Sequence, residues 1–324
     1  MRLSVVTPTL RRPKEVGDLL RCLAETTLQP DELVLVDGAP VEERATEKVV
    51  AELREAMPFS IQYVRSPKGT AIQRNRGLDL TKGEFIAFID DDVRVEPDFF
   101  ERILDTFQND LHQTVGGVVG VKTNLHFKLH QRARWRWYRR LGLLKTFDPG
   151  HYDYQTGYPI NASMQGAFEG VRDVDFMTTA CAVWRSKVFE DGLRFHPFFQ
   201  NFGVLEDAHL SLTAGKTWRL LQCGSAHCKE LKASGGRGNA RQLGFKSVIN
   251  YYFVFSDIAG PLTLGQRFRF WRFQAFEILR ISLSGLRRAR WDDFANCIGR
   301  IQGAVHIASG FSIAKRSKEM PDLG

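Results

Sequence analysis

The sequence predicts an α/β fold: a mostly parallel sheet with helices on both faces, followed by a helical, basic C-terminal extension. Three observations predict it. Strand-like and helix-like segments alternate from residue 2 to residue 92, four apolar runs each end in polar residues, and arginine and aromatic residues mix in helical segments after residue 240.

The run "RLSVVTPTL" is a β-branched strand that Pro8 is expected to stop. "KEVGDLLRCLAETT", Lys14 to Thr27, places Val16, Leu19, Leu20 and Leu23 on one helical face. "DELVLVDGAP" is a second strand ending in the turn signal Asp37-Gly38. "EERATEKVVAELREA" has helical composition and spacing, and "SIQYVRS" is a third strand. "TAIQRNRGLDLT" reads as a helix leading into "GEFIAFIDDD", the fourth strand. A β-α-β-α-β-α-β order requires crossovers and so a parallel sheet. Ligands of such sheets sit outside the carboxyl ends of the strands. Thr7-Pro8-Thr9, Asp37 and Asp90 to Asp92 all stand at strand ends, so three distant polar clusters converge on one edge.

Beyond residue 110 the alternation weakens. "TVGGVVGVKTN" is a glycine-loosened strand, and "HQRARWRWYRRLGLLKTFDPG" is basic and aromatic. "VDFMTTACAVWRSKVFE" turns from strand to helix, and "NFGVLEDAHLSLTAGKTWRLLQ" runs loop, short helix, strand. "ASGGRGNARQ" has the composition of a mobile loop or boundary, and "FRFWRFQAFEILRISLSGLRRARWDDF" that of helices. A boundary near 230 divides a nucleotide-binding and catalytic unit, 1–230, from a helical unit, 231–324.

At 324 residues, with 43% apolar and 25% charged residues, the chain has the content of a globular protein with a substantial core. Five scattered cysteines form no disulfide framework and suit a reducing cytosol; Cys223 and Cys228 around His227 lack the second pair a zinc site needs. The N-terminal apolar run is too short for a signal peptide, and no window is apolar enough to span a membrane. The net charge of +8 is uneven: from Ser225 onward sixteen Lys/Arg face seven Asp/Glu, +9, leaving −1 for residues 1–224. A basic C-terminal third points to a polyanionic partner, nucleic acid or an anionic membrane.

Asp90, Asp91 and Asp92 repel one another, and two readings compete. They solvate a turn, or they hold a hard divalent cation against phosphate oxygens. In an extended stretch Asp90 and Asp92 would face one way and Asp91 the other. Glu206 and Asp207 likewise admit two readings. Acids favour a helix N-terminus, and a carboxylate is also the group that takes a proton from an acceptor hydroxyl.

The ordered set "SVVTPTLRRP", "ELVLVDGAP", "GTAIQRNRGLDLTKGEFIAFIDDD" and "FGVLEDAHLSLTAGKTWRL" resembles family-two glycosyltransferases, over roughly residues 2–230. The resemblance implies a GT-A-type, Rossmann-like fold and transfer of a sugar, with inversion, from a nucleotide-diphosphate donor to a hydroxyl of a glycan or lipid-linked acceptor. It implies that Thr7, Pro8, Thr9 and Asp37 contact base and ribose, and that Arg74 and Asn75 lie near base or diphosphate. It maps the family's Asp-x-Asp motif onto Asp90, Asp91 and Asp92, with Asp92 and Asp90 as ligands of Mn²⁺ or Mg²⁺. It makes Asp207 the general base, with Glu206 beside it, and Thr178, Thr179 and Ala180 the sugar pocket. His227 stands where the family often has a histidine, a metal ligand or diphosphate donor, although a lone histidine is commonly structural. Where the family continues its second-strand aspartate with a polar residue and Gly-Ser, this chain reads Asp37-Gly38-Ala39-Pro40.

In "QRARWRWYRRLGLLK", Arg132, Arg136 and Arg140 fall four apart beside a stripe of Trp137, Leu141 and Leu144. Basic helices with interfacial aromatics suit an anionic membrane surface, although aromatic stripes are usually core. No nucleic-acid-binding motif accompanies the charge. The expected enzyme is therefore cytoplasmic or peripheral on the cytoplasmic face. A nucleotidyltransferase is the alternative within enzymes, and "TPTLRRPKEVG" lacks its glycine-rich phosphate loop. A non-catalytic adaptor retaining the fold is the alternative outside them, and would be expected to lack the acids at 92 and 207.

Overall fold

The computed structural model describes residues 1–125, 129–144, 147–199, 203–233 and 238–310, with the side chains of 129–133 outside that description. The first half is β1 (Leu3–Thr9), α1 (Pro13–Ala24), β2 (Glu32–Asp37), α2 (Ala45–Leu53), β3 (Ser60–Arg65), α3 (Thr70–Leu78), β4 (Phe85–Ile89), β5 (Val93–Val95), α4 (Phe99–Gln108) and β6 (Val115–Lys122). Then follow α5 (Leu129–Arg140), β7 (Tyr152–Asp153), β8 (Tyr158–Pro159), β9 (Val171–Asp173), β10 (Cys181–Arg185), α6 (Lys187–Glu190), α7 (Glu206–Ala214) and β11 (Arg219–Glu230). Three helices close the described chain: α8 (Ala240–Ala259), α9 (Leu264–Arg288) and α10 (Trp291–Ala308).

The main sheet runs β3-β2-β1-β4-β10-β6-β11-β5, with β9 added on β11. β3, β2, β1, β4, β6 and β11 share one direction, and β10, β5 and β9 oppose it. The mostly parallel α/β fold is therefore as expected. β1, β2 and β4 are buried at every position, as a sheet covered on both faces requires. Val16, Leu19, Leu20 and Leu23 of α1 are fully buried; each such side chain contributes about 1.5–3 kcal/mol of transfer free energy.

Pro8 does not stop β1, which continues to Thr9. β4 pairs with β1 only over Leu3–Val6, so at Pro8 the missing N–H faces no second ladder, while β2 pairs on the other side through Asp37. The glycines of β6 are packing requirements. A Cβ on Gly117 would collide with Met177 and Trp184, and one on Gly120 with Phe99.

Phe245, Ile249, Phe253 and Phe255 of α8, with Phe270 of α9, belong to the same apolar cluster as the sheet. The C-terminal helices thus share its core across position 230. A second cluster joins Trp135 and Tyr138 of α5 to Phe273 of α9 through Leu143 and Leu144. The expected Trp137–Leu141–Leu144 stripe divides: Leu144 is buried, but Trp137 and Leu141 are exposed. α5 ends at Arg140 and Gly142 takes φ +60, so helical spacing does not reach Leu144.

Candidate active site

The chain leaves β1 for β2 and β3, then returns to β4 on β1's other side. That reversal opens a crevice beyond the ends of β1 and β4, the usual ligand position in open α/β sheets. Thr9 and Asp91 meet there, the Thr9 hydroxyl donating to Asp91 over 2.7 Å. Arg12 donates to the other Asp91 oxygen at 2.7 Å and lies 3.8 Å from Asp92. Gln73 ties the neighbouring strand ends together: its amide donates to the Thr9 and Val36 carbonyls, 2.8 Å each, and accepts from Gly69 N–H. Asp37 is fully buried at the end of β2, accepting from Ala39 N–H and the Tyr63 hydroxyl at 2.8 Å each. Thr7 is fully buried, and its hydroxyl has no partner among the described residues.

The three aspartates are not extended. Val93 N–H donates to the Asp90 carbonyl over 3.0 Å, making 90–93 a turn, so strand alternation does not govern their directions. Each acid instead has its own neighbour. Asp90 accepts from Arg74 at 2.9 Å, Asp91 from Thr9 and Arg12, and Asp92 from the Ala233 backbone N–H at 3.0 Å. Burial pushes the Asp91 carboxyl up to about 6 against the pull of Arg12 and Thr9. Burial, then repulsion from Asp90, raises Asp92 as well. Asp90 and Asp92 each keep one carboxylate oxygen without a partner among the described residues. Hard oxygen donors under mutual repulsion fit a divalent cation such as Mg²⁺ or Mn²⁺. Among the described residues no three His, Cys, Asp or Glu side chains are arranged to hold a metal by themselves, so ligand oxygens and water would complete the shell.

Arg74 links this turn to the second acidic motif. Its buried guanidinium donates to Asp90 at 2.9 Å and to Glu206 at 3.1 Å, and lies over the Phe195 ring. Thr70 donates to the same Glu206 oxygen at 3.3 Å. Glu206 and Asp207 open α7 after Leu205, whose φ of +71 turns the chain sharply into the helix. Burial, then the Glu206 charge, pushes the Asp207 carboxyl up to about 7, with Arg74 and Lys122 pulling the other way. Such a carboxylate is poised to accept a proton near neutrality. From α8, Asn250 donates to the Val204 carbonyl at 2.8 Å and so holds the entry to α7.

The remaining expected residues scatter more. Asn75 spends its amide on Phe195, donating to its carbonyl at 2.8 Å and accepting from its N–H at 2.9 Å. Thr178, Thr179 and Ala180 precede β10 beside the turn, where the Ala180 carbonyl accepts from Asp90 N–H at 3.4 Å. Among the described residues His227 makes its ring contacts away from the three aspartates. Its ring lies 2.9 Å from the Gly224 carbonyl and 3.5 Å from Glu96. Its carbonyl accepts from Glu96 N–H, just past the end of β5. Within the glycine-rich stretch, residues 234–237 lie outside the described residues.

Arg12, Gln73 and Tyr63 escaped sequence reasoning, as did two buried lysines. Lys122 ends β6 and donates to Glu230 at 2.8 Å; burial opposes its charge, yet its pKa is raised, Cys181, then Glu230, then Asp90 contributing. A lysine terminating an apolar strand at the acidic edge was the available signal. Lys246 of α8 lies near Glu206, and burial lowers it to about 8. No motif marked it.

The family model for glycosyl transferase family 2 matches residues 4–190. The chain belongs to that family. Succinoglycan biosynthesis protein ExoM of Rhizobium meliloti is 35% identical over 108 residues, 33% of this chain and 35% of that protein. A glucosyl-dolichyl phosphate glucuronosyltransferase of Haloferax volcanii is 30% identical over 123 residues, 37% of this chain and 38% of that protein. The matches thus span only about a third of these relatives' length. Among solved structures, S. aureus TarS 1–349 in complex with UDP-GlcNAc superposes with a TM-score of 0.53 at 14% identity, covering 97% of this chain and 93% of that one. The mannosyltransferase PcManGT of Pyrobaculum calidifontis, in complex with GDP-Man and Mn²⁺, gives 0.54 at 16% identity, covering 96% and 76%. At those identities the likeness establishes the GT-A-type fold.

Proposed function

We propose that this family 2 glycosyltransferase chain moves a sugar, with inversion, from a nucleoside-diphosphate donor to a hydroxyl of a glycan or lipid-linked acceptor. The observation that carries the reading is Arg74 joining Asp90 to Glu206, because it sets the acidic turn beside the half-buried Asp207 that follows Glu206. Thr7, Pro8, Thr9 and Asp37 take the nucleoside, the first three at the end of β1 and Asp37 held rigid by Tyr63. Asp90 and Asp92 hold Mn²⁺ or Mg²⁺, which when bound neutralises charge on the departing diphosphate. Asp91 positions Arg12 and the β1 end, and Thr178, Thr179 and Ala180 wall the sugar. Asp207 accepts the proton of the incoming hydroxyl, and Glu206 keeps Arg74 in place.

Donor chemistry is supported by the relatives of this fold, whose bound ligands are UDP-GlcNAc and GDP-Man with Mn²⁺. Five unpaired cysteines suit a reducing compartment, and we assign the chain to the cytoplasmic side, without a nucleic-acid partner. A panel of nucleoside-diphosphate sugars with Mn²⁺ or Mg²⁺ tests the reading by thermal stabilisation. One donor stabilising the fold only with metal is the expected result; no stabilisation by any donor removes the reading's support.

A further inference from the structure

Helices α5 and α9 expose a continuous surface that the transfer site does not use. On α9, Phe268, Ala275, Leu279, Leu283 and Leu286 recur at spacings of three, four and seven, so they share one stripe. Its large side chains are open to solvent, 66% for Phe268, 58% for Leu279 and 69% for Leu286. Arg272 sits in that stripe, over the Phe268 ring, and donates to the Gly142 carbonyl at the end of α5. That bond carries the surface across to the exposed Trp137 and Leu141, where Arg140 covers Trp137.

Within α9 and α5 the charge is almost all of one sign. Residues 264–288 hold six arginines and one acid, and residues 129–140 hold five arginines and no acid. The single acid, Glu277, is buried and bonded by Arg280 at 2.9 Å. Arg287, Arg288 and Arg290 cluster at the turn into α10, next to Trp291, which is 85% exposed, and outnumber the acids Asp292 and Asp293 that follow it. A second copy docked through this face about a two-fold axis would set arginine against arginine. A bilayer bearing anionic headgroups instead meets both features, since arginines reach headgroups while apolar side chains enter the acyl boundary. No helix among the described residues is long and apolar enough to cross a membrane, so α9 would lie in the interface plane.

We infer that the α5–α9 face, with Phe268, Leu279, Leu283, Leu286, Trp137 and the arginines at 272 and 287–290, docks the protein on an anionic lipid surface. Behind this face, Tyr158 packs against Trp135 of α5 and against Tyr251 of α8, each with rings 5.7 Å apart, which seats α5 on the helical core.

The full chain is sedimented with phosphatidylcholine vesicles, with or without phosphatidylglycerol, at low and high salt. Binding only to the anionic vesicles, weakened by salt, is the expected result. Reversing Arg287, Arg288 and Arg290 to Glu weakens it by roughly a hundredfold or more, and Leu279→Ser with Leu283→Ser also weakens it. Circular dichroism and donor-induced thermal stabilisation, measured on the same variants, stay as in the unsubstituted protein. Absence of binding to anionic vesicles at low salt, or unchanged binding by both variants, overturns the inference. So does lipid-free, concentration-dependent self-association that the leucine substitutions abolish, because the face is then an interface between copies. Failure of the donor panel alone leaves the vesicle result standing.

Discussion

Arg74 Nη1 donates to Glu206 Oε1 over 3.1 Å and thereby closes a span of 132 residues between α3 and α7. The same guanidinium holds Asp90, so removing it leaves two carboxylates without their counter-charge. Arg74→Met is expected to destabilise the fold by about 3–5 kcal/mol, the cost of breaking a buried ion pair from one side. Arg74→Lys, with one point charge for two separated acceptors, should recover only part of that loss. Chemical denaturation of the three proteins measures it.

Asp207 should impose the acid limb of the pH profile. Its carboxyl is pushed up to about 7 by burial and by Glu206, and a base must be unprotonated to act. kcat/KM is therefore expected to rise as pH increases through about 7 and to level off above. In Glu206→Gln the repelling charge is gone, so the midpoint should move to lower pH. Initial rates across a pH series, with donor and acceptor in hand, measure both midpoints.

The acidic turn should separate metal from fold. Asp92→Asn keeps an oxygen for the Ala233 N–H but loses the charge, so donor-induced stabilisation by metal is expected to disappear while the melting temperature without donor holds or rises. A chelator added to the unsubstituted protein should have the same effect on donor binding. Thermal melts with and without donor, Mn²⁺ and chelator measure it.

The close approach of α8 and α10 depends on missing side chains. A Cβ on Gly299 would collide with the Arg241 carbonyl and one on Gly244 with the Asn296 carbonyl, and backbone cannot swing aside. Gly299→Ala should therefore destabilise by about 1–3 kcal/mol despite alanine's better helix propensity. Denaturant titration checks the sign.

The strand ends were legible because burial writes itself as apolar runs and each run stops where polar residues begin. Thr9, Asp37 and Asp90 to Asp92 could be aligned on one edge for that reason. The directions of the three acids were not legible: alternation assumes an extended chain, and the Asp90–Val93 turn removes that assumption. Pro8 misled for a similar local reason, since its tolerance depends on where the β4 ladder ends. Gln73, Arg12 and Tyr63 act through bonds to residues distant in sequence, and no spacing rule announces such partners. The exposed face of α9 was half legible. Its arginine and aromatic content stood out, but which leucines face outward follows from the packing of α5 and α10 upon it.

The most direct test of the account is donor turnover by Asp207→Asn beside the unsubstituted protein, with donor binding measured in the same samples. The account predicts unchanged metal-dependent donor binding and transfer lowered by about a hundredfold to ten-thousandfold, the range for losing a general base. Transfer by Asp207→Asn at the unsubstituted rate would contradict it.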